Sequence, residues 1–122
     1  ARVLPRELQE LRLELHGLLH DQLSLDASQT ARIEALEARH ATRKKALELE
    51  LRAANARLAE AIDAEHGYGP QVTAAVDHVH HVMGEMQKEV LEHLFAMRAV
   101  LNPEQASIFD RTVVKALTAE AR

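Results

Sequence analysis

The strongest break in this chain is a five-residue cluster near its middle, His66-Gly67-Tyr68-Gly69-Pro70. On either side run long stretches dominated by Ala, Leu, Glu, Arg and Lys, which are strong helix formers. A chain written this way has few folds open to it, and the simplest is two long helices turning back on each other about residue 68. Four Gly and three Pro in 122 residues leave little material for turns. The elements must therefore be few, long and joined by short connections.

The helices can be placed from their stripes and caps. Pro5 suits a first helical turn, and Leu8, Leu11, Leu15, Leu18 and Leu19 follow at helical spacing, predicting a helix over 5–23. Asp26 is a good N-cap with Gln29 as its capping-box partner. From there a helical pattern runs over 27–65, with Ile33, Leu36, His40, Leu47, Leu51, Ala54, Leu58 and Ile62 facing inward. Arg43, Lys44 and Lys45 make this seam weakest between His40 and Leu47. A third helix over 70–100 is striped by Val72, Val76, Val79, Met83, Met86, Val90, Leu94 and Met97. Asn102-Pro103-Glu104-Gln105 repeats the earlier start signal and opens a last helix over 103–118. The fold class expected is all-α: two long antiparallel helices with a short helix at each end, forming a single domain over 1–122. Burial in so slender a chain is limited, so a dimer completing the core is expected.

Composition excludes several functions. A formal net charge of −4 argues against nucleic acid as a partner. With no cysteine there are no thiolate metal sites, disulfides or thiol nucleophiles, although the compartment is not fixed by this. No run of about 18 apolar residues is present to span a membrane. A start on Ala1 without methionine fits a chain that has lost a targeting or anchoring segment.

Histidine is the informative residue. Of eight, His16 and His20 form H-x-x-x-H, whose members share a helix face and can chelate one cation through both rings. His93 and Met97 form a second pair four apart. If the hairpin folds about residue 68, residues whose numbers sum to about 136 lie level. Glu37 is then within a turn of Met97, and His93 is level with residue 43. The first helix joins at the same end, so two chelating pairs and one carboxylate converge there. Three imidazoles, a carboxylate and a thioether without thiolate suit Ni, Co, Cu and Zn. Bidentate Glu37 would make six donors, favouring octahedral Ni²⁺ or Co²⁺ over tetrahedral Zn²⁺. From spacing alone an isolated histidine pair is more often a solvated face, and a methionine at helical spacing is usually core.

His78, His80 and His81 compete as a site, since Asp77, His81 and Glu85 share a face at spacing four. No opposing partner can be placed for them, so a solvated or dimer-facing strip is expected. His40 and His66 read as structural or exposed. Catalysis is not expected: Glu37-Ala38-Arg39-His40 is a single E-x-x-H where a di-iron carboxylate site needs two plus two more Glu. No nucleophile-plus-base arrangement or phosphate loop occurs.

From about His16 to the C-terminus the residues resemble the periplasmic metal-sensor subunit of nickel–cobalt resistance systems, the CnrX/NccX type. The resemblance rests on His16-Gly17-Leu18-Leu19-His20, on Leu51-Arg52-Ala53-Ala54-Asn55 with Leu58-Ala59, and on His93-Leu94-Phe95-Ala96-Met97-Arg98-Ala99. It implies a metal-ligand set of His16, His20, Glu37, His93 and Met97, taking Ni or Co, with Zn also able to occupy the site. It implies a four-helix hooked hairpin that dimerises, faces the periplasm and is held in the inner membrane by an N-terminal anchor absent from this chain. It further implies a membrane-bound anti-sigma factor as partner, releasing an extracytoplasmic-function sigma factor that switches on metal efflux. The histidines at 78 to 81 are not part of that pattern. The paired starts Leu25-Asp26-Ala27-Ser28-Gln29 and Leu101-Asn102-Pro103-Glu104-Gln105 also resemble the wider group of periplasmic stress chaperones with paired L-T-x-x-Q motifs. These share the fold, bind unfolded clients and sometimes bind zinc, and they give the alternative function.

Overall fold

The computed structural model describes residues 13–118, all of whose regular elements are helical. The first helix, α1, is α-helical over 13–17 and widens into a π-helical turn at Leu18–Gln22. The part of it expected before residue 13 lies outside the described residues. α2 spans Ala27–Glu65, α3 spans Pro70–Arg98 and α4 spans Pro103–Thr118. α3 stops two residues short of the expected 100, where the N–H groups of Val100 and Leu101 turn back to the carbonyls of Met97 and Arg98. None of the described helices is long and apolar enough to cross a membrane.

Burial along α2 follows a heptad. Ile33, His40, Leu47, Ala54 and Ala61 are buried at every seventh position, and Glu37, Lys44, Leu51, Leu58 and Glu65 are half-buried four residues after each. A repeat of this kind keeps one seam facing a partner helix over many turns. Ile62, expected inside, is 50% exposed because it falls off that seam. Three of these five half-buried positions carry a charge, Glu37, Lys44 and Glu65, so the seam keeps polar side chains at its edge.

The chain divides into two compact units. One comprises residues 38–92, the facing stretches of α2 and α3. The carboxylate of Glu65 accepts the N–H groups of Gln71 and Val72, both at 2.9 Å, and so caps α3. His40 and Arg43 reach the carboxylate of Glu89 at 3.1 and 3.5 Å. Glu65 with Gln71 keeps the expected sum of 136 at the turn, whereas Glu89 pairs with His40 and Arg43 at sums of 129 and 132, so the register has drifted by up to about one helical turn along the pair. The core here is made largely of small residues, with Leu47, Ala54, Ala61, Val72 and Val82 buried.

The other unit joins the chain up to Glu37 with the chain from His93 onward. Its core carries more and larger side chains: Leu15, Leu18, Leu19, Leu23, Ile33, Leu94, Met97, Val100, Ala106 and Phe109 are all buried. Both capping boxes lie here. Asp26 and Gln29 exchange backbone-to-side-chain bonds of 3.0 and 2.7 Å, and Asn102 and Gln105 do the same at 3.0 and 2.8 Å. Gln29 Nε2 also donates to the carbonyl of Val100 at 3.2 Å. Carried along both helices, that register sets Glu37 level with about residue 93.

Candidate metal centre

The candidate site is built entirely within this second unit. Leu15, Leu18 and Leu19 turn inward, which leaves His16 and His20 along the edge of the buried face. His20 sits in the π-helical turn, closed by the N–H of Leu23 on the carbonyl of Leu18 at 3.1 Å. The wider turn brings residues four apart more nearly into line than an α-helix does. The two imidazole centroids are 4.3 Å apart and tilted by 46°.

Glu37 completes the group from α2. Its Oε2 lies 3.5 Å from His16 Nδ1 and 3.6 Å from His20 Nε2. One donor atom from each of the three residues falls within 4.8 Å of the others. These separations exceed good hydrogen-bond lengths. They are close to the roughly 3.0–3.4 Å expected between two ligand atoms held at about 2.1 Å from one ion. Two imidazoles and a carboxylate aimed at one point therefore fit a divalent transition metal, and the donor set contains nothing that excludes one.

His93 and Met97 are placed differently. Both are buried in the core of the same unit, at 8% and 3% exposure, one α3 turn apart. His93 is not a member of the three-residue cluster, although the register puts it at the height of Glu37. His78, His80 and His81 are exposed on α3 in the other unit. The rings of His78 and His81 are 6.5 Å apart, and among the described residues no third histidine or carboxylate draws in with them to form a comparable cluster. Glu85, on the same face, pairs instead with Lys88 at 3.4 Å. The E-x-x-H fragment is split: Glu37 faces His16 and His20, while His40 is buried against Glu89. His66, just past α2, adopts the left-handed conformation with φ 55° and is exposed, a helix-ending role.

Sequence reasoning missed the π-helical turn, the capping of α3 by Glu65, and the contact between the two capping glutamines. Gln29 Nε2 donates to Gln105 Oε1 at 2.8 Å, and Gln105 Nε2 donates to the carbonyl of Leu23 at 3.0 Å. The repeated L-x-x-x-Q starts were the available signal for the last of these.

Residues 4–107 match the model of a family described as heavy-metal resistance. The chain belongs to the heavy-metal resistance family. It is 39% identical over 104 residues to the nickel and cobalt resistance protein CnrR of Cupriavidus metallidurans, an alignment covering 85% of this chain and 70% of the relative. The family's role in metal resistance is therefore this chain's role, and a His/Glu cluster within the matched region fits it.

Proposed function

We propose that this chain is a nickel- or cobalt-sensing domain whose metal is held by His16, His20, Glu37, His93 and Met97. The observation that carries the reading is the convergence of His16, His20 and Glu37 from two separate helical segments, in a chain similar to a nickel and cobalt resistance protein. The first three residues supply hard and borderline donors at the rim. Buried His93 and Met97 supply the remaining imidazole and a soft thioether from α3.

An ion bound by this set would supply a bridge between the α1 segment and the long helices. The protein's own part is to hold His16 and His20 on a short segment whose other face is anchored by Leu15, Leu18 and Leu19, while Glu37 stays fixed in the α2 seam. Fixing that segment against α2 and α3 alters the surface that a partner reads, and this is the switch the reading requires. The partner proposed is a membrane-bound anti-sigma factor, with the domain facing the periplasm as a homodimer tethered to the inner membrane. Zn²⁺ could enter the site but gains little from a sixth, thioether ligand.

Calorimetric titration of metal-stripped protein with Ni²⁺, Co²⁺ and Zn²⁺ tests this, alongside His16→Ala/His93→Ala. One tight site per chain, abolished in the double variant, is the expected result. Tight binding that survives would move the site to His78 and His81. Absence of tight binding, together with strong suppression of client aggregation by the metal-free protein, would replace the sensor with the stress-chaperone reading.

A further inference from the structure

We infer that Gln105 is a positioning residue for the metal centre, because its side-chain amide ties the end of the His16–His20 segment to the helices carrying the other ligands. The inference rests on the metal-binding reading above and adds a residue that offers the ion no donor itself.

The side chain of Gln105 is buried, at 9% exposure. Its Oε1 accepts the N–H of Asn102 at 3.0 Å and Gln29 Nε2 at 2.8 Å. Its Nε2 donates to the carbonyl of Leu23 at 3.0 Å and lies 3.5 Å from Gln29 Oε1. Gln29 in turn donates to the carbonyl of Val100 at 3.2 Å. Two glutamine amides thus join four helix ends: that of the histidine segment, the start of α2 with Glu37, the end of α3 with His93 and Met97, and the start of α4.

The placement is symmetric about the ligands. Leu23 follows His20 by three residues, and Val100 follows Met97 by three. Both carbonyls lie just past the end of a helix, where the helix offers them no partner. At Leu23 the chain then enters the left-handed conformation at Ser24, φ 51°. That peptide is held by its N–H on Leu18 and by its carbonyl on Gln105. Releasing the second bond frees the π-helical turn to rotate, and His20 is part of that turn.

Capping alone does not call for glutamine. In a capping box Glu serves as well as Gln at the third position, because the box uses only the acceptor oxygen. Here the donor half of the amide is used as well, and it is aimed at the ligand-bearing segment rather than at α4.

The test compares wild type, Gln105→Glu, Gln105→Met and Asn102→Ala, each titrated with Co²⁺ alone. The readouts are affinity, the d–d absorption spectrum at saturation, and, in metal-free protein, amide exchange at Leu23. Gln105→Glu keeps the acceptor and loses the donor; Gln105→Met fills the same space without charge and serves if the first variant does not fold. Asn102→Ala destabilises the α4 start but leaves the Leu23 bond. We expect both Gln105 variants to bind Co²⁺ at least about tenfold more weakly, with a changed spectrum and about tenfold faster exchange at Leu23. Asn102→Ala should keep the wild-type spectrum and affinity. Wild-type spectra and affinities in the Gln105 variants would overturn the inference and leave the metal site standing, as would equal losses in Asn102→Ala. Failure of wild type to bind Co²⁺ would overturn both.

Discussion

The carboxylate of Glu65 lies 2.7 Å from where a β-carbon on Gly69 would stand, while accepting the N–H groups of Gln71 and Val72. Gly69 is needed here for space, since its φ is not positive. Gly69→Ala must push the carboxylate off the start of α3, which costs about 1 kcal/mol of capping. In a Glu65→Ala background the obstacle is gone, and the same change should cost only what Ala loses to Gly at an N-cap, about 0.5 kcal/mol. Urea unfolding of the four proteins in this cycle checks that the cost shrinks. Destabilisation of equal size in both backgrounds would mean that something other than Glu65 fills the space.

The all-helical fold was legible because helix formers fill the chain between two unambiguous start signals, Asp26 with Gln29 and Asn102 with Gln105. The pair His16 and His20 was legible because spacing four on a helix is a local property. What spacing could not supply was register. Folding about residue 68 set His93 level with residue 43, whereas the Gln29–Val100 bond brings it level with Glu37. Glu65 with Gln71 keeps the turn itself at the expected register, so the shift enters along the helices, where no local spacing records it. The π-helical turn at Leu18–Gln22 was equally hidden, since its sequence is an ordinary amphipathic one and tertiary bonds at Leu23 hold it.

Arg98 and Asp110 make a pH prediction. The guanidinium donates twice to the carboxylate, at 2.7 and 2.8 Å, tying α4 to the end of α3 just past Met97. Those hydrogen bonds, and secondarily the positive charge, hold the Asp110 carboxyl below its usual range. A depressed folded-state value means the contribution is complete above the unfolded value, about 3.9, and is lost as pH falls below it through the folded value. The pair is exposed, so the effect is small. Melting temperatures of wild type and Asp110→Asn should differ slightly at pH 6 and converge below about pH 3.9. A gap that stays constant through that range would contradict the assignment.

Glu37 supplies the only carboxylate within the His16, His20, Glu37 cluster, so its removal should be felt as lost ligand linkage. At free Ni²⁺ about 100 times Kd, binding to the folded state alone adds about 2.7 kcal/mol of stability. Glu37→Ala should erase most of that gain while changing metal-free stability little, since the side chain is only half-buried. His78→Ala/His81→Ala should retain it in full. A nickel-induced melting shift that follows the second variant rather than the first would move the site to α3 of the other unit.

In the proposed site Met97 would set metal choice, and its burial dictates how that can be tested. At 3% exposure it is a core side chain, so Met97→Ala should cost about 2–5 kcal/mol whether or not metal binds. A loss of response in that variant would therefore say nothing about coordination. Met97→Leu conserves volume and should cost less than about 1.5 kcal/mol, while removing the thioether. Zn²⁺ is satisfied by four ligands, so its affinity should be nearly unchanged. Ni²⁺ and Co²⁺ favour higher coordination and should lose about tenfold, about 1.4 kcal/mol, which narrows the preference over Zn²⁺. Competition titrations of the three ions against wild type and Met97→Leu measure that ratio directly. Equal loss for all three would make Met97 a packing residue, and an unchanged ratio at unchanged affinity would leave selectivity to His16, His20, Glu37 and His93.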